Sequence, residues 1–231
     1  MLFKNSQIDL FNEDYYTKAR DNMIINQLVP NGVNKAKILT TLKKIPKHHF
    51  IQSKWKQFSY VDTSIPIINN KKPDSKPRFM LSSFIFAKML QDADIDNQSI
   101  VLDVGCATGY SSVVISKFAK KVFGIDNNAF FLKACNSYLE TMKRTANLEF
   151  LSMDTLFKGG IKQKFDVIVI NGIVNNSLEK FSSYLKSEGK IVVIERQDHH
   201  SQIVKYTKNN NHIHKETLST VDADDRLILP L

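Results

Sequence analysis

From residue 97 onward the chain alternates short apolar runs with longer amphipathic stretches, and this alternation restricts the fold more than any other feature. Continuous runs of Val, Ile and Leu are what strands buried on both faces look like, and stretches with three-four spacing between them read as crossover helices. Strands are therefore expected at Ile100 to Val104, Lys121 to Ile125, Leu148 to Leu151, Phe165 to Ile170 and Lys190 to Ile194. Helices are expected at Ser111 to Lys120, Asn128 to Thr145 and Asn176 to Leu185. Gln202 to Thr207 and His212 to Ser219, around the turn Asn209-Asn210-Asn211, complete seven strands. The fold class is α/β, with a doubly wound, mostly parallel sheet.

The texture before residue 97 is different. Tyr15, Ala19, Met23, Ile24, Gln27 and Leu28 recur at helical spacing until Pro30, Asn31 and Gly32 break the pattern. A second helix is expected from Asn34 to Lys44, ending before Pro46. Ile65 to Phe79 reads as a loop, because Pro66, Asn69, Asn70, Pro73, Asp74 and Pro77 crowd it. A third helix is expected from Leu81 to Asp92. Residues 1–96 are thus an N-terminal helical cap, and residues 97–231 an α/β core.

Composition narrows the class. At 231 residues, 42% hydrophobic and 24% charged, the chain has the make-up of one ordinary globular domain. The apolar runs are far shorter than the roughly 18 residues a membrane span needs, and the N-terminus has no signal-peptide run. Cys106 and Cys135 form no CxxC pair and no Cys/His cluster has ligand spacing, so no metal site is expected. Two unpatterned thiols fit a reducing cytoplasm. The net charge of +9 raises the question of nucleic acid, but it comes from 27 Lys and only 5 Arg spread along the chain. Phosphate and guanine readout favours clustered Arg, so a nucleic-acid partner is not expected.

The segment Val101-Leu102-Asp103-Val104-Gly105-Cys106-Ala107-Thr108-Gly109-Tyr110 carries the chemistry. A strand passes an acid, turns through two glycines and enters a helix at the carboxyl edge of the sheet, where such folds hold nucleotide-like cofactors. The dinucleotide pattern G-x-G-x-x-G would need glycines where Ala107 and Tyr110 stand. What is present, an acid two residues before a G-x-x-x-G turn, resembles motif I of class I S-adenosylmethionine-dependent methyltransferases. Asp126 ends the next strand about 20 residues on, where a carboxylate accepts from ribose hydroxyls. The resemblance adds an adenine contact from Asp154 after the third strand. S-adenosyl-L-methionine is therefore the expected cofactor, with Asp103, Gly105, Cys106, Ala107, Gly109, Asp126, Asn127, Asp154 and Thr155 as its candidate residues.

Four pieces of the N-terminal third are more particular: Arg20-Asp21-Asn22-Met23, Asn31-Gly32-Val33, Ile45-Pro46-Lys47-His48-His49-Phe50, and Tyr60-Val61-Asp62 with Ile65-Pro66-Ile67. Together with the ending Leu227-Ile228-Leu229-Pro230-Leu231 they are similar to the protein-L-isoaspartate O-methyltransferases. The resemblance implies a methyl acceptor that is the abnormal carboxylate of an L-isoaspartyl residue in a protein or peptide. A cytoplasmic monomer is expected. The chain departs from that family where its members carry hydroxyls beside the transferring methyl group: those positions fall on Phe79 and Leu81. Ser82 and Ser83 follow directly and are the candidate catalytic hydroxyls, or else an ordinary helix cap. The preceding loop, Ile68 to Arg78, is long and carries Lys71, Lys72, Lys76 and Arg78. A different acceptor on the same fold, or a cofactor-binding protein without catalysis, stays open. His48-His49 matches a structural segment of the family, and packing is expected for it.

Overall fold

The structure, a computed structural model, describes residues 11–67, 78–141, 146–174, 178–197, 200–210, 212–223 and 225–229. Most of the basic loop, the Thr145 end of the expected fifth helix, Asn176, His199, Asn211 and the closing Pro230-Leu231 lie outside these residues. The helices are α1 (Glu13–Met23), α2 (Ala36–Lys44), α3 (Ser83–Ala93), α4 (Tyr110–Ile115), α5 (Ala129–Thr141), α6 (Met153–Phe157) and α7 (Leu178–Ser182). A two-stranded ribbon pairs β1 (Ile65–Ile67) with β2 (Arg78–Met80). The main sheet holds β3 (Ile100–Val104), β4 (Lys121–Asp126), β5 (Leu148–Ser152), β6 (Phe165–Ile173), β7 (Leu185–Gln197), β8 (His200–Asn209) and β9 (His212–Val221).

Its order is β5-β4-β3-β6-β7-β8-β9, with β5 through β7 parallel and the last two strands antiparallel. This is the seven-stranded, mostly parallel sheet expected from the apolar runs. Because β3 is flanked by β4 and β6, the chain changes direction across the sheet there, and a crevice opens at the carboxyl ends of those strands. Alternate residues of each strand fill two apolar layers. Val101, Val122, Val167 and Val192 join the layer shared with the N-terminal helices, while Leu102, Phe123, Ile168 and Ile191 face the other.

The free edges carry charge. On β9, Glu216 pairs with Lys205 at 2.7 Å and Lys215 with Glu195 at 2.7 Å, and on β5 Glu149 pairs with Lys121.

The helical cap is seated by polar clamps as well as by Ile85, Phe86, Met89 and Leu90 of α3, all buried. The Gln91 amide accepts from the backbone of Asn34 and Lys35 and donates to the Gly32 carbonyl, which locks the turn between α1 and α2 onto α3. After α1 the helix widens by one residue, Ile24–Leu28 closing i+5 bonds, so that Val29 N–H reaches the Ile24 carbonyl.

Three expectations are corrected. The helix expected from Ser111 to Lys120 ends at Ile115, the chain continuing in turns to β4. The loop expected from Ile65 to Phe79 contains the β1–β2 ribbon, with Ile65 opposite Met80 and Ile67 opposite Arg78. Three-residue strands are too short to show alternation, and Pro66 masks the first. The seventh helix stops at Ser182, and Leu185, expected to end it, begins β7 opposite Phe165. The polar excursion Lys186 to Gly189, with Glu188 at φ +62°, hides that pairing from the sequence.

Gly124 lies in β4 where an added Cβ would stand 2.5 Å from Ser112 Oγ and 2.7 Å from the Phe150 ring. Both neighbours are held, so Gly124→Ala should destabilise the protein by about 1–3 kcal/mol, the usual cost of overpacking, in a urea unfolding titration.

Candidate functional site

The β3–α4 turn is built from backbone conformations that exclude most side chains. Gly105, Ala107 and Gly109 have φ of +73°, +47° and +87°, and Gly109 caps α4 in the left-handed region. Gly105 and Cys106 N–H both donate to the Ile125 carbonyl, which fixes the turn against the end of β4. A Cβ on Gly109 would stand 2.8 Å from the Phe150 ring and 3.0 Å from Cys135 Sγ. Cys106 is buried and, through desolvation and its contact with Cys135, its thiol is pushed well up, so it stays protonated and acts as a small packing group.

Of the three candidate acids, two are sealed inside. Asp103 has no exposed surface; its carboxylate accepts from Ser111 Oγ at 2.6 Å, from Ser112 Oγ and from Asn171 Nδ2. Burial pushes it up to about 6, and these three donors hold it down from going further. Asp126, equally buried, accepts from Ala107 N–H at 3.0 Å and Asn128 N–H at 2.9 Å. It is also paired with Arg78, whose Nη2 lies 3.2 Å from Oδ2. Asp154 stands apart from these: it sits in the first turn of α6, its side chain 76% exposed, paired with Lys158. Asn127 is exposed. Thr155 closes the α6 cap, its N–H donating to Ser152 Oγ at 3.2 Å.

A mainly apolar hollow lies beside the turn, lined by Ile67, Phe79, Leu81, Phe86, Tyr110 and Asn171 among others. Phe79 and Leu81 face it, as do no serines of the β2–α3 corner. Ser82 Oγ caps α3 by accepting from Ile85 N–H at 3.3 Å and lines a second, polar groove with Asp62, Thr63, Ser64, Asp222 and Arg226. The Arg226 guanidinium lies 5.0 Å from the Phe79 ring centre, so the two hollows meet at this corner. Ser83 is buried against Lys47, whose ammonium donates to the Leu81 carbonyl at 2.9 Å and to Ser83 Oγ at 3.3 Å. Desolvation lowers Lys47 to about 7.

His48 and His49 meet Glu13, their Nε2 atoms 3.3 and 3.1 Å from Glu13 Oε1, while the Tyr60 hydroxyl lies 2.9 Å from His48 Nδ1. Burial keeps His48 neutral, lowered to about 4, and its ring stacks on Tyr16 at 4.0 Å. Glu13 is 35 positions from His48, which is why sequence spacing did not bring the three together.

Sequence reasoning missed Arg78, Lys47, Ser111, Ser112 and Asn171 as site residues. Ser111 and Ser112 stand eight and nine positions after Asp103, in the first turn of the helix that follows it, and that spacing was a usable signal. Asn171 comes from β6, 68 positions away, and only the strand order reveals it.

The raised Asp103 fixes a pH dependence. Between about 4 and about 6 the native state binds more protons than the unfolded chain, so stability falls as pH rises through that window. The total loss should be on the order of 3 kcal/mol for a shift of about two units. Urea unfolding from pH 4 to 7 should show this slope in the wild type and a flatter one in Asp103→Asn.

Known proteins share both sequence and architecture with this chain. The sequence model of the family described as protein-L-isoaspartate(D-aspartate) O-methyltransferase matches residues 19–222. Protein-L-isoaspartate O-methyltransferase 1 of Syntrophobacter fumaroxidans is 26% identical over 178 residues, covering 77% of this chain and 79% of that protein. The Opitutus terrae protein-L-isoaspartate O-methyltransferase is 25% identical over 208 residues, covering 89% and 85%. A solved protein-L-isoaspartate O-methyltransferase superimposes with a TM-score of 0.74 at 17% identity, over 90% of this chain and 67% of that one. A Plasmodium falciparum structure, described as a putative enzyme of this kind in complex with S-adenosyl-L-homocysteine, gives 0.67 at 16% identity, over 90% and 96%. With the family match spanning most of its length and the glycine turn, Asp103 and Asp126 set at the switch point of its sheet, the chain belongs to the protein-L-isoaspartate O-methyltransferase family.

Proposed function

We propose that this chain transfers the methyl group of S-adenosyl-L-methionine to the carboxylate of L-isoaspartyl residues in proteins. The observation that carries the reading is the solvent-free Asp126 carboxylate at the end of β4, held by two backbone N–H groups beside the Gly105–Gly109 turn. The residues present fit the cofactor: Gly105 leaves a cradle that a Cβ would fill against Leu229 at 3.0 Å, and Arg78 Nε is buried without a partner. In this reading Asp126 takes the ribose hydroxyls. Asp103 meets the ammonium through Ser111 and Asn171, whose Nδ2 is committed to Asp103 and the Val104 carbonyl, leaving Oδ1 to accept. Asp154 and Thr155 flank the adenine, and Asn127 the ribose.

The cofactor brings a methyl group already activated on a sulfonium, so the protein's work is alignment and exclusion of water. Ile67, Phe79, Met80, Leu81 and Phe86 make the dry wall. Lys47 holds the β2–α3 corner by its two hydrogen bonds, which keeps Leu81 and Ser83 in place. The acceptor peptide enters by the polar groove, where Ser82 is the hydroxyl of the corner that lines it and acts on the acceptor carboxylate. That groove and the apolar Phe79 and Leu81 also favour a second reading, the same transfer to a different carboxylate. The two free cysteines, both buried, support a cytoplasmic setting. The same proposal takes the protein to work as a monomer without nucleic acid.

Calorimetry should show binding of S-adenosylhomocysteine by the wild type and a loss of about 1–3 kcal/mol in Asp126→Ala, the scale of a charge-assisted hydrogen bond. Labelled cofactor should methylate an isoaspartyl peptide and leave its aspartyl twin unlabelled. Transfer to neither peptide, with cofactor binding intact, removes the isoaspartyl reading and keeps the cofactor. Ser82→Ala should lower turnover while costing about 1 kcal/mol of stability through its lost cap; unchanged turnover assigns Ser82 to capping alone.

A further inference from the structure

We infer that Arg78 is a cofactor ligand that changes partners on binding, leaving the Asp126 carboxylate to the ribose and pairing with the carboxylate of the cofactor's amino-acid portion. The inference rests on Asp126 being the ribose acceptor.

A carboxylate offers about four lone-pair sites. Two of those on Asp126 are taken by Ala107 and Asn128 N–H. Arg78 takes the other two, Nη1 donating to Oδ1 at 3.4 Å and Nη2 to Oδ2 at 3.2 Å. Two ribose hydroxyls therefore have nowhere to bind until the guanidinium moves. The contact is also imperfect for Arg78 itself. Both bonds are long for a charged pair, and Nε is buried with no partner.

Its next neighbour shows where it goes. Nη2 already donates to the Gly105 carbonyl at 3.4 Å, and the Cβ position of Gly105 is 3.3 Å from that same atom. In the proposed reading Gly105 borders the amino-acid portion of the ligand, because Asp103, two residues before it, meets the ammonium. A carboxylate there accepts from Nε and Nη2 side by side, the fork geometry a guanidinium prefers, and satisfies the orphaned Nε. The side chain is only 11% exposed, so solvent competes weakly at either position. Arg78 ends the long loop and begins β2, a ribbon held by three residue pairs, so its backbone lies outside the main sheet and only its side chain reaches in. The exchange makes recognition zwitterionic: a buried acid network at Asp103 for the ammonium, and a mobile guanidinium for the carboxylate.

The test separates the two roles by ligand. S-adenosylhomocysteine has both the ribose and the carboxylate, while methylthioadenosine has the ribose and lacks the amino-acid portion. Calorimetry on the full chain should show Arg78→Met binding methylthioadenosine several-fold more tightly and S-adenosylhomocysteine roughly tenfold more weakly than the wild type, as expected for a gained vacancy and a lost charged hydrogen bond. Arg78→Lys, which keeps the charge without the fork, should recover part of the S-adenosylhomocysteine affinity and guards against a fold effect, checked by thermal unfolding. Shifts of both ligands in the same direction, or of neither, overturn the exchange. Unchanged methylthioadenosine binding in Asp126→Asn overturns the ribose assignment and the exchange with it, whereas a clear loss there without opposite shifts in Arg78→Met overturns the exchange alone.

Discussion

A carboxylate with no water around it must find its hydrogen bonds inside the protein, and Asp103 finds them on two neighbouring elements at once. Ser111 and Ser112 bring the first turn of α4, and Asn171 brings the C-terminal end of β6, to the strand that carries the acid. Charge burial is expensive unless every lone pair is met, so this arrangement admits one register of β3 against β6 and one start for α4. The glycine turn follows from it, because the chain must leave Asp103, reverse, and present Ser111 eight residues later. Everything that makes a ligand crevice at the sheet's switch point hangs on that geometry.

Asp126 solves the same problem differently. Its backbone donors come from the glycine turn and from the residue two positions on, and the remaining capacity is met by a side chain from outside the core, Arg78. One acid is thus locked for architecture and the other is held by a replaceable partner. That division matches what a binding site needs: a rigid frame and one exchangeable contact.

The sheet was legible because buried parallel strands write themselves as uninterrupted Val and Ile runs, and Val101, Ile125, Ile168 and Val192 all fell inside the strands expected. The glycine turn was legible because backbone conformation alone dictates Gly105 and Gly109. The family was legible from pieces such as Ile45 to Phe50. What could not be read were partnerships between distant segments. Asn171 with Asp103, Arg78 with Asp126, and Lys47 with Ser83 join residues 36 to 68 positions apart, and no periodicity encodes them. Short elements were hidden too. The β1–β2 ribbon has three residues a side, and its first strand is centred on a proline.

The edges of the main sheet bear on the life of the protein in a crowded solution. Neither edge presents a plain run of unpaired backbone between apolar side chains: β9 ends the sheet with its residues 212 to 217 exposed and with Lys215 and Glu216 engaged across the strands, and β5 places Glu149 outward with Lys121. A second strand that tried to add itself there would have to strip those charges of water and of their partners. The central strands, by contrast, are the kind of Val- and Ile-rich segments that stack readily once exposed. The charged outer strands therefore act as gatekeepers, and a substitution that neutralised Lys215 or Glu216 would leave the β3–α4 turn intact while opening a route to self-association.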